Sequence, residues 1–356
     1  MSLPTERVPD SALEDLADRL DRTRAPRLTG ETGWARGTDA DALAALLDHW
    51  RHRFDWRAHE ARILDLPWEE SAALRVVHQR SIQPGAPTVV LLHGWPDSVL
   101  RYERVLPLLR DLNVVVPALP GFPFATEGRG MDAAAMAALV GDALASLGYE
   151  RYVLSGGDVG GDVAEQLAAL HPERVGALHL TNVSPLHAVF ADRSTLDAEA
   201  LTYVDAAARW SRAEGAYIAV QSSKPHTLAV GLSDSPAGLA AWLFEMLHGW
   251  SDEPFAADDL LLWISAYWFT NSIGSSFATY AEAAKPVPYV STPTVLSLFA
   301  ADTKPAPVSF AARFVNVQEV VAHERGGHFA AWERPDAYTQ DVRKAVALAE
   351  SRIASR

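Results

Sequence analysis

A mostly parallel α/β sheet with an inserted helical lid and a helical N-terminal segment is the fold class the sequence predicts, on three observations. From residue 74 onward, short apolar runs of strand length alternate with stretches of helical periodicity. From about 186 to 286 that rhythm breaks into a helix-rich, aromatic segment with no clear strand run. Between an apolar strand and a helix stands Ser155-Gly156-Gly157-Asp158-Val159-Gly160-Gly161, whose small residues let the chain turn sharply. The predicted divisions are a helical region over 1–60, a first half of the core over 61–185, a lid over 186–286 and a second half of the core over 287–356.

The elements follow in order. Ser11 and Glu14 are spaced as a capping box, ahead of Leu13, Leu16 and Leu20 on one helical face. A second helix carries Leu43, Leu46, Leu47, Trp50 and Phe54 and ends near Asp55-Trp56-Arg57. Strand-like runs then begin with Leu74 to His78 and Pro87 to Leu92. Further candidates are Val114 to Val116, Tyr152 to Leu154, Ala177 to Leu180, Val295 to Leu298 and Phe314 to Val321. A helix through Met136, Leu139, Val140, Leu144 and Leu147 stops at Gly148, a C-cap glycine. Another carries Val163, Leu167 and Leu170 up to His171-Pro172. The lid holds Trp210, Trp242, Trp250, Trp263 and Trp268 and roofs the carboxyl ends of the strands, where ligands bind in open α/β sheets.

Composition narrows the function. With 356 residues, 49% hydrophobic and 21% charged, the chain can bury a substantial core. A formal net charge of −14 argues against nonspecific binding to nucleic acid or an anionic membrane. Without cysteine there is no disulfide, thiol catalysis or thiolate metal site. The N-terminus has no signal-peptide pattern and no stretch is long and apolar enough to span a bilayer, so a soluble cytoplasmic enzyme is expected. Oligomeric state is not encoded in the sequence; a homodimer is compatible with it.

Asp158 occupies the position of a nucleophile. The strand–turn–helix around it is the geometry of the nucleophile elbow of α/β-hydrolases, usually built around a serine. A carboxylate there would attack an sp3 carbon and form an alkyl ester on the protein. The plain alternative is a surface aspartate in a glycine loop. His93-Gly94-Trp95-Pro96 follows a strand and is equally read as a tight turn or as the source of an oxyanion-hole donor, the Trp95 N–H, paired with that of Val159. His328, after Gly326-Gly327, comes last in the order nucleophile, acid, histidine; His323 is its rival. Asp302 lies just past a strand, 26 residues before His328, where it can orient the imidazole; Glu319 and Glu324 are fallback acids.

Together these motifs resemble the epoxide hydrolases of the microsomal and juvenile-hormone type, with their soluble bacterial relatives, over nearly the whole chain. Gly33-Trp34-Ala35-Arg36-Gly37 and Phe54-Asp55-Trp56-Arg57 match the helical N-terminal region of that family, and His93-Gly94-Trp95-Pro96, Gly156-Gly157-Asp158 and Gly326 to Ala331 its catalytic motifs. The resemblance implies an α/β-hydrolase fold and two lid tyrosines that donate to the epoxide oxygen, aligned with Tyr217 and Tyr280. A phenol with a pKa of about 10 stays protonated at neutral pH and suits that role. Three departures stand out. Val159 replaces the usual tryptophan after the nucleophile, Asp302 stands where the mammalian microsomal enzymes have glutamate, and their N-terminal membrane helix is missing, which argues against membrane association.

The expected activity is therefore cofactor-independent and metal-independent hydrolysis of a small hydrophobic epoxide by water, with neither nucleic acid nor membrane as partner. Trp95, Phe122, Phe124, Trp242 and Trp268 are the candidate pocket aromatics. A haloalkane dehalogenase shares the aspartate, the histidine and the fold, but Val159 lacks the indole N–H that would hold a halide. A ligand-binding protein that keeps the fold without turnover is the non-enzymatic alternative.

Overall fold

The computed structural model describes residues 6–27, 33–126, 129–282 and 285–354. Eight strands form one sheet: Trp68–Ser71 (β1), Leu74–Gln79 (β2), Thr88–Leu92 (β3), Asn113–Pro117 (β4), Tyr152–Gly156 (β5), Val175–Leu180 (β6), Val290–Phe299 (β7) and Val315–His323 (β8). Their order is β1-β2-β4-β3-β5-β6-β7-β8, antiparallel at β1–β2 and β2–β4 and parallel thereafter. Every residue of β3, β5 and β6 is buried, as expected of parallel strands covered on both faces. β8, at the edge, is largely half-buried or exposed.

Helices flank this sheet. Asp10–Asp21 (α1), Ala40–His52 (α2) and Trp56–Leu64 (α3) precede it, and Ala133–Ser146 (α4) and Val159–Leu170 (α5) pack together on it. Between β6 and β7 the described residues contain helices and no strand: Pro185–Phe190 (α6), Ala198–Glu214 (α7), Ala216–Ser223 (α8), Pro225–Asp234 (α9), Pro236–Gly249 (α10), Ala257–Thr270 (α11), Ile273–Ser276 (α12) and Ala278–Ala281 (α13). Val308–Ala311 (α14), Ala330–Glu333 (α15) and Pro335–Ala354 (α16) complete the chain.

Several local expectations need correction. No capping box forms at Ser11: α1 starts two residues earlier than such a cap would place it, at Asp10 behind Pro9, without a side-chain cap. The Pro9 carbonyl accepts from the Ala12 N–H at 2.9 Å, which takes up one of the helix's free donors without a side-chain cap. The second helix stops at His52, short of Phe54. Asp55 then caps a third helix by accepting from Arg57 N and Ala58 N, so the segment read as a helix end is a helix start. β1 has the sequence Trp-Glu-Glu-Ser, too polar and short to signal a strand, and its place at the sheet edge explains why it can be. Gly148, at φ +84°, closes α4 as read from the sequence.

Candidate active site

The sheet presents the candidate catalytic residues on the loops that follow β3, β5, β7 and β8. Asp158 sits between β5 and α5 with φ 54° and ψ −136°, a backbone conformation unfavourable for any residue with a Cβ. Close packing holds it there. A Cβ on Gly160 would lie 2.0 Å from the Leu92 carbonyl oxygen, so only glycine lets α5 begin against β3. A Cβ on Gly94 would lie 2.6 Å from Asp158 Oδ1. That approach brings the Trp95 N–H to Asp158 Oδ1, to which it donates at 2.9 Å. The Val159 N–H is the first of α5, where backbone donors have no intrahelical acceptor.

His328 lies on the loop between β8 and α15. Its Nδ1 is 2.9 Å from Asp302 Oδ1, and its Nε2 is 3.6 Å from Asp158 Oδ2, a contact longer than a hydrogen bond. Nε2 is buried without a hydrogen-bond partner, aimed at the space beside the Asp158 carboxylate. Burial pulls the His328 pKa down, but the Asp302 and Asp158 carboxylates override it and raise the pKa to about 9. Asp302, three residues beyond β7, is held below its usual range: burial pushes it up, and the His328 charge and hydrogen bond more than reverse this. Its Oδ1 also accepts from the Thr303 N–H at 2.7 Å.

Residues that the sequence did not single out hold the histidine loop. Glu333 accepts from the backbone of Gly327, Phe329 and Asp252. The His328 N–H donates to the Trp250 carbonyl at 2.8 Å. Arg101, fully buried, donates to the His328 carbonyl at 2.7 Å and to Asp97 at 2.5 Å. Asp97 in turn accepts from the Gly94 N–H at 2.7 Å, so one ion pair joins the two loops that flank Asp158. His93 is structural: its buried Nε2 accepts from the Leu119 N–H.

The lid supplies the roof. Tyr217 on α8 and Tyr280 on α13 face each other with ring centroids 5.9 Å apart, and both line a chamber of about 90 Å³ with Asp158, His328 and Asp302. Burial, and then the Asp158 charge, raises both phenol pKa values well above the ordinary tyrosine range. A larger chamber of about 710 Å³ shares Asp158, Tyr280 and Ile218 with the smaller one and extends beneath α7. Among the described residues, no group of three or more His, Cys, Asp or Glu is arranged to hold a metal ion.

Not every expected residue reaches this space. Of the five candidate pocket aromatics, none borders either chamber. Trp95 is fully buried beneath Tyr217, stacked at 5.3 Å. Phe122 packs edge-on against His93, and Phe124 tilts against Trp68. Trp268 lies under the Arg19 guanidinium, and Trp242, half-buried on α10, belongs to the lid's packing. Trp250, Ile218 and Lys304 line the chambers instead. The rival groups lie elsewhere: His323 pairs with Asp341 and stacks on Phe299, Glu319 pairs with Lys344, and Glu324 is exposed.

Strand order and elbow define the class of protein, the α/β-hydrolase fold. Residues 87–335 match the family described as alpha/beta hydrolase fold, and residues 4–102 match the one described as epoxide hydrolase N terminus. A Stigmatella aurantiaca (strain DW4/3-1) protein, whose name places it provisionally among the epoxide hydrolases, is 32% identical over 95% of this chain and 82% of its own length. Epoxide hydrolase 1 of Sus scrofa is 27% identical, with 96% of this chain and 87% of that protein covered. The Aspergillus niger epoxide hydrolase structure superposes with a TM-score of 0.86 at 29% identity, over 97% of this chain and 95% of that chain. The chain belongs to the epoxide hydrolases of the α/β-hydrolase fold. None of its described helices is long and apolar enough to cross a membrane.

Proposed function

We propose that the enzyme opens a hydrophobic epoxide in two steps, through a covalent ester on Asp158, as a soluble cytoplasmic hydrolase needing only water as co-substrate. One observation carries this reading. The Asp158 carboxylate has one oxygen held by the Trp95 N–H and the other directed toward His328, in a chamber roofed by two protonated phenols. Oδ2 attacks an epoxide carbon, the ring C–O bond breaks, and Tyr217 or Tyr280 gives the departing oxygen its proton. Two phenols in a desolvated site suit an oxygen whose charge grows only in the transition state.

The ester then leaves Oδ1 as its carbonyl oxygen, already against the Trp95 N–H. Loss of the Asp158 charge removes one of the two anions that keep His328 protonated. The imidazolium proton passes to the phenolate left by ring opening, and neutral His328, oriented by Asp302, then takes a proton from water as that water attacks the ester carbon. The Trp95 and Val159 N–H groups hold the tetrahedral oxyanion. Collapse breaks the bond from Cγ to the alkyl oxygen, which accepts the proton from His328; the Asp158 carboxylic acid then returns its proton to His328, restoring the resting pair, and the vicinal diol leaves.

A single turnover in 18O-labelled water tests the route, because the attacking oxygen comes from Asp158. The diol of the first turnover should carry no label, which enters the Asp158 carboxylate instead. Full labelling of that first diol means direct attack by water and overturns the ester.

A further inference from the structure

One charge in the catalytic chamber has no part in this chemistry. Lys304 follows Asp302 by two residues on the loop after β7, and it lines both chambers. Its ammonium sits over the Trp210 ring, 3.6 Å from the centroid. Among the described residues no carboxylate forms an ion pair with it. The backbone that carries it is pinned. Asn182 donates to the Lys304 carbonyl at 2.7 Å and accepts from the Ala306 N–H at 3.3 Å.

The surrounding charges favour an anion. Arg193 and Arg212 also border the larger chamber, both exposed; Asp205 pairs with Arg193, and Arg212 has no ion-pair partner among the described residues. The acidic residues of that chamber are Asp158 and Asp162. Burial, opposed by a hydrogen bond from Ser184 and assisted by Glu165 and Asp158, raises the Asp162 pKa well above its ordinary value. Burial lowers the Lys304 pKa to about 8, with Asp158 and Asp302 pulling the other way, so its cationic form prevails at neutral pH. Three cations thus surround the space beyond the nucleophile in a chain of net charge −14. A partly desolvated cation without a bonded anion is costly to keep, and an aromatic face offsets only part of the cost.

We infer that the epoxide hydrolysed here carries a carboxylate, which lies against Lys304 while the ring lies over Asp158. This rests on the epoxide-hydrolase reading of the site and names its substrate class. A single ammonium matches a monoanion. It also offsets the repulsion between substrate and Asp158 until ester formation removes that charge. Lys304 is a specificity-determining residue and takes no proton in the reaction.

The test is a series of terminal epoxy acids of increasing chain length, each beside its methyl ester. For at least one length the wild type should prefer the acid by about tenfold or more in kcat/KM. Lys304→Met should erase that preference by raising KM for the acid far more than for the ester, and Lys304→Arg should retain it. Ester preferred throughout, a preference that survives Lys304→Met, or an equal loss on acid and ester overturns the proposal. If the wild type turns over none of the series, the epoxide reading fails. Calorimetric binding of the corresponding diol acids then decides the anion site alone. Binding weakened only in Lys304→Met upholds it, and equal binding by both proteins overturns it.

Discussion

Replacing Asp158 by asparagine should lower the His328 pKa, and the size of the fall measures how strongly the two side chains are coupled. His328 Nε2 and Asp158 Oδ2 are 3.6 Å apart, with side chains 11% and 18% exposed. At an effective dielectric constant of about 20, unit charges at that distance interact by about 4.6 kcal/mol, or about three pH units. That is a ceiling, because solvent and the neutral amide dipole replace part of the lost interaction. The expected fall is about one to two pH units, from a starting value of about 9.

The assay is a pH titration of the His328 ring protons by NMR in both proteins, with His328→Gln identifying the resonance among twelve histidines. A value unchanged within about 0.3 pH units would refute the coupling and with it the idea that ester formation turns His328 into a base. The sign carries over to stability. The folded pKa lies above the ordinary histidine value of about 6.5, so the stabilisation from the imidazolium is fully present below about pH 6.5 and is lost as pH rises through about 9. Asp158→Asn should move the upper end of that window downward.

Three further outcomes follow from the site. Gly94→Ala places a Cβ 2.6 Å from Asp158 Oδ1 and must displace the nucleophile. Diol formation should drop by about 100-fold with the far-UV spectrum retained, and wild-type kinetics would refute the contact. Asp302→Asn removes the negative charge that fixes the His328 tautomer and stabilises its imidazolium, so ester hydrolysis should slow by about 10³-fold or more and an adduct of one epoxide mass should accumulate by intact-protein mass spectrometry. No adduct in that variant would argue against His328 as the base. Arg101→Met strands the buried Asp97 carboxylate, and urea unfolding should register a loss of about 3–5 kcal/mol. A loss below about 1 kcal/mol would mean the pair does not tie the two loops together.

The sequence exposed those parts of the fold and site that chemistry forces into local patterns. Asp158 could be singled out because its backbone conformation is unfavourable with a Cβ, and the glycines needed to pack that turn lie within three residues of it. Gly94 and Gly326-Gly327 flag the other two loops for the same reason: close approach and positive φ both require glycine. The buried strands were legible as apolar runs. β1 was not, since an edge strand needs no apolar pattern. The pocket walls were the least legible. Trp95, Trp242, Trp250 and Trp268 are all aromatic residues in helix-rich or loop contexts, and only the packing decides that Trp250 alone of these four borders the chambers. Phe122 and Phe124 lie beside a loop glycine, yet they face the core under β3 and β1 rather than the lid. Lys304 had one signal, its position two residues beyond the acid.

Trp95 explains how a floor built by the sheet and a roof built by the lid stay in register. Its backbone N–H holds the Asp158 carboxylate, while its indole stacks on Tyr217 at 5.3 Å with an interplanar angle of 6° and meets Tyr280 edge-on at 5.8 Å. The indole N–H donates to the Ser276 hydroxyl on α12 at 3.2 Å, one short loop before α13. A single residue thereby fixes the height of both phenols above Asp158. Its rigid ring, with few side-chain torsions to order, suits a spacer better than a substrate contact would. Chamber walls such as Ile218 and Lys304 carry no such constraint, so substrate range can change there while the distance between carboxylate and phenols is kept. Substituting Trp95 should therefore damage ring opening for every epoxide alike, whereas substituting Lys304 should discriminate between them.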